Sequence, residues 1–204
     1  INKLYTDGFF EDEYIYYNNG CCYYEMGEYD RAIDNFKKSM TYDPNSDPYL
    51  TWLGLGKTYY KLKDYKESYK YLKKTLDKNS DLEYAWLYLG YVQLELGRYS
   101  GATRSFEKAA LCNPENSEAW GCYFKTTYNF LGIDKAYNVI CKIIEKNPGK
   151  PEYILFKTAC LIELNRIDEA EQELRIAIAQ KASFEDFFLF YPKIKNLENF
   201  MQII

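Results

Sequence analysis

Apolar residues recur along this chain at spacings of three and four positions, with polar residues between them. In residues 83–116 a first apolar stripe is formed by Trp86, Leu89, Gly90 and Leu94. This spacing is typical of an amphipathic helix with one buried face. A second stripe follows at Ala102, Phe106 and Ala109. Gly97 predicts the end of the first helix, and Pro114 predicts the end of the second.

This pair of stripes repeats about every 34 residues. The three tryptophans are spaced 34 residues apart, at Trp52, Trp86 and Trp120. The second stripes recur in step with them, at Phe36, Leu72, Phe106, Ile140 and Leu174. Five tandem repeats are therefore predicted within residues 13–184, over 13–46, 49–82, 83–116, 117–150 and 151–184. Because one helix pair cannot bury its own apolar face, the repeats must stack on one another.

The repeat closely resembles that of the tetratricopeptide repeat (TPR) family, a 34-residue helix–turn–helix with W-x₂-L-G-x₂-Y, A-x₃-F and a closing proline. The third repeat carries this motif at Trp86, Leu89, Gly90, Ala102, Phe106 and Pro114. The fourth and fifth repeats depart from it, with Phe124 and Thr158 in place of the glycine. The resemblance implies an all-α, right-handed superhelix, an α-solenoid in which the first helix of each repeat lines a concave groove.

The two ends of the chain fall outside the five repeats. Residues 1–12 are too short for a repeat, and we interpret them as the end of a preceding repeat or as a lead-in. The start at Ile1 favours a piece of a longer protein. Residues 185–204 are rich in aromatic residues and are interrupted by Pro192. We predict a capping helix there, because the terminal repeats of solenoids need a cap; a role in oligomerisation is the alternative.

Composition excludes several classes of function. The chain contains no histidine, which removes Ser-His-Asp and Cys-His catalysis and most catalytic zinc sites. Its net charge of −4 gives no reason to expect nucleic-acid binding. It lacks the run of about 18 apolar residues that a membrane helix needs. We therefore expect a protein with no catalytic residues, cofactor or metal, and no membrane insertion.

The six cysteines indicate a reducing compartment. They lie at Cys21, Cys22, Cys112, Cys122, Cys141 and Cys160, without a C-x-x-C pair. Disulfide frameworks are expected in short, cysteine-dense secreted chains, and this chain is neither. We predict free thiols and a cytoplasmic location.

The resemblance places the groove on the side of the first helices opposite their buried stripe, and tyrosine is concentrated there. Eight of the 23 tyrosines lie on the thirty groove positions of the five repeats. Tyrosine combines a large apolar ring with a polar tip, which suits binding surfaces. The predicted peptide-binding residues are Tyr14, Tyr17, Asn18, Leu53, Lys57, Tyr60, Lys61, Tyr84, Leu87, Tyr88, Tyr91, Lys125 and Tyr128.

We expect a non-catalytic protein–protein interaction scaffold whose groove binds a peptide segment of a partner. Lys57, Lys61 and Lys125 would attract an acidic group in that segment. Some TPR domains clamp the C-termini of chaperones with a pattern of lysine and asparagine across three consecutive repeats. No three consecutive repeats of this chain match that pattern, so a chaperone C-terminus is disfavoured as the ligand. Two alternatives stay open: a self-associating scaffold whose groove is empty or filled by its own chain, and the regulatory or substrate-docking region of a larger enzyme.

Overall fold

A computed structural model describes residues 11–42 and 48–196. The chain divides into two compact units, an N-terminal unit ending at residue 113 and a C-terminal unit beginning at residue 114. Residues 1–10 of the predicted lead-in 1–12, residues 43–47 and residues 197–204 of the predicted cap lie outside the described residues.

The N-terminal unit contains three helix pairs, which correspond to the first three predicted repeats. Its helices are α1 (Glu11–Glu25), α2 (Tyr29–Tyr42), α3 (Tyr49–Lys61), α4 (Tyr65–Lys78), α5 (Glu83–Glu95) and α6 (Tyr99–Cys112). Within each pair the two helices pack on each other, and the second helix of one pair also packs on the first helix of the next. The first helices α1, α3 and α5 are in contact as well, so they form one continuous face of this unit.

The C-terminal unit contains the two remaining pairs and a short terminal segment. The helices are α7 (Ser117–Phe130), α8 (Ile133–Lys146), α9 (Glu152–Glu163), α10 (Ile167–Ala179) and α11 (Glu185–Phe190), followed by a 3₁₀ helix at Pro192–Asn196. Throughout the described residues the regular structure is helical. The all-α helix–turn–helix fold expected from the sequence is therefore confirmed.

Glycines at one phase of the repeat let the two helices of a pair approach closely. A Cβ atom added at Gly90 would lie 2.5 Å from the Phe106 ring, and one added at Gly56 would lie 2.7 Å from Leu72. Gly20 faces Phe36 in the same way, at 2.6 Å. In the fourth repeat this position is Phe124, whose ring is 2 % exposed and fills the space itself.

The turns inside the pairs share a left-handed residue. Gly27 and Gly97 have φ values of +79° and +69°, and each is the second residue after the end of its helix, α1 or α5. Lys63 takes the same place after α3 with φ +61°, although a side chain disfavours this conformation. The prediction that Gly97 ends its helix is confirmed, because α5 stops at Glu95.

The tryptophans are not equally buried. We expected Trp86 to lie in a core, but its side chain is only half-buried. Its ring nitrogen donates to the carbonyl oxygen of Ser80 at 2.7 Å. Trp120 makes the equivalent bond to Pro114 at 2.9 Å but is 3 % exposed. The expected core position thus applies to Trp120 rather than to Trp86.

The predicted capping helix is shorter than 185–204. Within the described residues α11 spans only Glu185–Phe190, because Pro192 cannot continue the helix. Phe187, Tyr191 and Ile194 are nevertheless buried in one core with residues of α9 and α10. The chain after α10 therefore packs against the last repeat, although not as one continuous helix.

Candidate functional site

Four tyrosines from three first helices meet on one face of the N-terminal unit. We call Tyr24 of α1, Tyr60 of α3, and Tyr88 and Tyr91 of α5 the tyrosine cluster. The ring of Tyr60 lies edge-on to Tyr88, with centroids 5.6 Å apart, and stacks on Tyr91 at 5.9 Å. The hydroxyl groups of Tyr24 and Tyr88 are hydrogen-bonded at 3.2 Å. Burial and this hydrogen bond raise the pKa of Tyr24 well above its ordinary value.

Lys57 of α3 extends into the tyrosine cluster. Its ammonium nitrogen lies 4.8 Å from the ring centre of Tyr24 and 5.5 Å from that of Tyr88. Both distances are within the range of cation–π attraction. In the part of the chain that the structure describes, Lys57 thus contacts aromatic rings rather than forming an ion pair with a carboxylate. Its half-buried charge is available to an acidic ligand.

A small cavity opens beside the cluster. It has a volume of about 80 Å³, which is room for several water molecules or one apolar side chain. Its lining is formed by Tyr17, Cys21, Tyr24, Glu25, Phe36, Leu50, Leu53, Gly54 and Lys57. Burial raises the pKa of Tyr17 to about 12 and also raises the pKa of the Cys21 thiol. The cavity therefore has an uncharged floor, with Lys57 and Glu25 as its two charged groups.

The structure places the predicted N-terminal groove residues in different surroundings. Lys57, Tyr60, Tyr88 and Tyr91 come together with Tyr24, while Tyr17 and Leu53 line the neighbouring cavity. Four predicted residues are exposed: Tyr14, Asn18, Lys61 and Tyr84.

Leu87 does not fit the prediction. Its side chain is 2 % exposed, so it offers no surface to a ligand. Helix α5 is apolar on more than one side, and Ala85, Leu89 and Val92 are buried as well. A helix that is apolar nearly all round is packed on several sides, which is why the groove position of Leu87 is part of the core.

The last two predicted residues, Lys125 and Tyr128, belong to the C-terminal unit. Lys125 is exposed and lines a cavity of about 560 Å³ together with Lys150, Glu118 and Phe156, among others. Tyr128 is half-buried, and this burial raises its pKa to about 12. The ring of Phe190 lies against it, with centroids 4.9 Å apart.

The sequence prediction omitted two residues that help to form the N-terminal site. Tyr24 lies on the predicted groove face but was not among the expected binding residues, although it makes the bond to Tyr88. Phe36 belongs to a second helix and still lines the cavity. Gly20 and Gly54 give the sequence signal for it, because a Cβ at either position would lie 2.6 Å from the Phe36 ring.

Two other kinds of site are absent from residues 11–42 and 48–196. Acidic, cysteine and histidine side chains do not gather there in a group of three or more that could hold a metal ion. The helices of this part of the chain also lack the length and apolarity needed to cross a membrane.

Comparison with family models identifies the repeats. A tetratricopeptide repeat model matches residues 13–46, which is the first predicted repeat, and a second tetratricopeptide repeat model matches residues 53–119. The chain is a tetratricopeptide repeat protein. TPR proteins are typically non-enzymatic scaffolds for interactions between proteins. A search of curated protein sequences gave no match.

Solved TPR structures share the fold of this TPR chain. MamA is 24 % identical with a TM-score of 0.67, over 84 % of this chain and 92 % of MamA. YrrB, a TPR protein with an unusual peptide-binding site, is 19 % identical with a TM-score of 0.65, over 89 % of this chain and 90 % of YrrB. The first TPR of Spaghetti (RPAP3), bound to the HSP90 peptide SRMEEVD, is 21 % identical with a TM-score of 0.56, over 60 % of this chain and 95 % of the Spaghetti chain.

Proposed function

We propose that the protein is a non-catalytic interaction scaffold that binds a peptide segment of a partner on the face formed by α1, α3 and α5. The observation that carries this proposal is the half-buried Lys57, which lies between the rings of Tyr24 and Tyr88 beside an open cavity. The site combines aromatic surface, one apolar recess and one accessible positive charge.

Each part of the site favours a different feature of the peptide. The recess of about 80 Å³ accommodates one apolar side chain, anchored next to Leu50 and Leu53. The tyrosine rings offer rigid contact area at a small cost in conformational entropy, as at many interaction hot spots. Because Lys57 itself lines the recess, an acidic side chain close to that anchor in the peptide would reach it. The expected ligand is therefore an apolar anchor followed closely by an aspartate or glutamate.

The structural neighbours give independent support for peptide binding by this fold. YrrB is a TPR protein with a peptide-binding site, and the first TPR of Spaghetti (RPAP3) is bound to a peptide. Because their identity to this chain is low, their ligands cannot be assigned to it. The proposal for this chain is accordingly derived from its own tyrosines and Lys57.

The experiment is selection of ligands from a library of random peptides displayed on phage, with the purified protein immobilised. We expect the selected peptides to share an apolar or aromatic residue near an acidic one. Lys57→Gln should weaken their binding about tenfold, because the charge that pairs with the peptide is lost. Binding would be measured by fluorescence anisotropy at low and high salt.

Lys66→Gln provides the control, since Lys66 is exposed and belongs to the second helix α4, not to the face formed by α1, α3 and α5. It should change the affinity by less than about twofold. The lysine variants are preferable to alanine at Tyr88 and Tyr91, because Tyr91 also packs on Phe106 at 5.3 Å. Equal effects of the two lysine variants would contradict the proposed site.

The self-associating alternative predicts a different result. Light scattering over a concentration series would then show a mass that rises with concentration in the absence of any peptide. If selected peptides do not reduce that mass, the α1, α3 and α5 face is not the surface through which the copies associate.

A further inference from the structure

The chain's own C-terminal segment covers the first helices of the C-terminal unit. We define this segment as residues 187–194, from Phe187 to Ile194. The ring of Phe190 lies among three aromatic rings that project from α7 and α9, which we call the aromatic triad. Its centroid is 4.9 Å from Tyr128, 5.0 Å from Phe156 and 5.5 Å from Phe124.

Polar contacts follow Phe190 directly in the segment and join it to α9. The hydroxyl of Tyr191 donates to Glu163 Oε1 at 3.0 Å, and Lys193 Nζ donates to the same oxygen at 3.0 Å. Glu163 is the last residue of α9. The segment thus presents an aromatic ring, a hydroxyl and a positive charge, in that order, to matching groups on two first helices.

The surface that the segment covers is the one on which the repeat pattern predicts a ligand. Tyr128, Phe156 and Glu163 all occupy groove positions of the fourth and fifth repeats. Phe190 fills the space between the rings of α7 and α9, as an aromatic anchor of a bound peptide would. In this unit, therefore, the chain itself occupies the ligand surface.

We propose that the inner face of α7 and α9 is a second peptide site, specific for an aromatic residue followed three positions later by lysine or arginine. Phe190 and Lys193 occupy it in cis, and a partner segment of the same chemistry competes with them. This site lies in the other compact unit and is independent of the function proposed for the N-terminal face.

Only part of the segment is held in the core. Phe187, Tyr191 and Ile194 are 1 %, 4 % and 0 % exposed, and they attach the segment to α9 and α10. The Phe190 side chain is only half-buried and lies on the groove side. The ring of Phe190 can therefore leave the aromatic triad while the three buried residues stay in place.

Covalent attachment favours the internal ligand. A tethered group competes at a high effective concentration, which for short linkers is in the millimolar range. A free peptide should consequently bind the wild-type protein weakly. It should bind strongly once the internal aromatic ring is removed.

The test uses the full chain and a labelled synthetic peptide with the sequence of residues 189–195, Leu-Phe-Tyr-Pro-Lys-Ile-Lys. Fluorescence anisotropy would compare the wild-type protein with the Phe190→Ala variant. We expect the variant to bind the peptide at least about tenfold more tightly. A peptide with alanine in place of its phenylalanine should lose this gain.

Leu189→Ala is the matched control, because Leu189 neighbours Phe190 on the same helix and is 82 % exposed. It should bind the peptide as weakly as the wild-type protein. If Phe190→Ala binds no more tightly than this control, or binds both peptides equally, the proposal is wrong. The helical content of all variants would be compared by circular dichroism.

A second variant keeps the proposal testable if Phe190→Ala does not fold. Lys193 has a side chain that is 72 % exposed, so Lys193→Glu leaves the core intact and places two negative charges side by side. The segment should then bind more weakly to α7 and α9, so the free peptide should bind about threefold more tightly. If Lys193→Glu leaves the affinity unchanged, Glu163 plays no part in binding and the proposal falls.

Discussion

The hydroxyl oxygens of Tyr24 and Tyr88 lie 3.2 Å apart, although 64 positions separate these residues in the chain. Tyr24 belongs to α1 and Tyr88 to α5, so the bond joins the first helix pair directly to the third. In a repeat array each pair ordinarily contacts only its neighbours. Long side chains on the inner face make this additional link, with Lys57 of the middle pair close to both rings.

The first prediction tests that link. Tyr24→Phe should reduce the free energy of unfolding by about 1 kcal/mol, the usual net value of a hydrogen bond. Tyr24→Phe combined with Tyr88→Phe should cost little more than the single change, because both remove the same bond. Urea denaturation measures the difference. Tyr14→Phe is the control, as Tyr14 is 67 % exposed, and strictly additive losses would show that the bond contributes nothing.

The second prediction concerns the close approach of α5 and α6. Gly90→Ala should destabilise the protein by about 1–3 kcal/mol, because its Cβ would lie 2.5 Å from the buried Phe106 ring. Gly121→Ala, also within a helix, has nothing within 4 Å of the added Cβ. It should stabilise the protein by about 0.5–1 kcal/mol, the helix-propensity gain from glycine to alanine. Chemical denaturation measures the free energy of unfolding of both variants. If both substitutions lowered it, or both raised it, this account would be contradicted.

The fold could be predicted from the sequence because the same pattern of residues recurs in several repeats. Tryptophan, glycine and phenylalanine recur at one spacing, and each recurrence sets the same helix pair. The structure confirms helix ends close to those predicted, as at Gly97. Trp86 shows the limit of that reasoning: its phase in the repeat is that of Trp120, but the depth of the ring depends on neighbours that the motif does not specify.

The candidate sites were less predictable for a physical reason. The pattern gives the side of a helix on which a residue lies, but not whether another part of the chain covers it. Leu87 lies on the predicted groove side and is nevertheless buried. Tyr128 is partly covered by Phe190, which lies outside the repeats and follows no repeat rule. Contacts of this kind are set by tertiary packing rather than by period.

The third prediction compares the two tryptophans. Trp120→Ala should reduce the free energy of unfolding by about 3–5 kcal/mol, the range for a fully buried large aromatic side chain. Trp86→Ala should cost less, about 1–3 kcal/mol, because its half-buried ring removes less apolar surface from water. Each variant also loses one bond from the ring nitrogen, so that contribution cancels in the comparison. Equal losses in denaturation would contradict the difference in burial.

The fourth prediction concerns the thiols, all six of which are free in the structure. Burial raises the pKa of the Cys160 thiol to about 12, which leaves about one thiol in ten thousand ionised at pH 8. Cys160 should therefore react with a chromogenic disulfide reagent only after denaturation, whereas the exposed Cys22 reacts at once. Cys160→Ala is the control that identifies the slow phase. An intact mass that shows a disulfide in the native protein would contradict the prediction of free thiols.

The last prediction follows from the charge on Glu163. Lys193 and, to a smaller extent, Tyr191 donate hydrogen bonds to this carboxyl group and hold its pKa below the ordinary value of 4.5. A lowered pKa means that the carboxylate is more stable in the folded chain than in the unfolded chain. The contribution to stability is therefore present above the unfolded pKa and is lost as the pH falls through the folded value.

Carbon-13 NMR of the glutamate carboxyl groups can measure this, with Glu163→Gln to assign the signal. The Glu163 signal should titrate below pH 4.5, and Lys193→Ala should move its midpoint upward, because the first donor is lost. Since Lys193 is exposed, the rest of the fold should not change. The stability difference between wild type and Glu163→Gln should also disappear in acid. A Glu163 midpoint that does not respond to Lys193→Ala would show that the segment does not rest on α9 in solution.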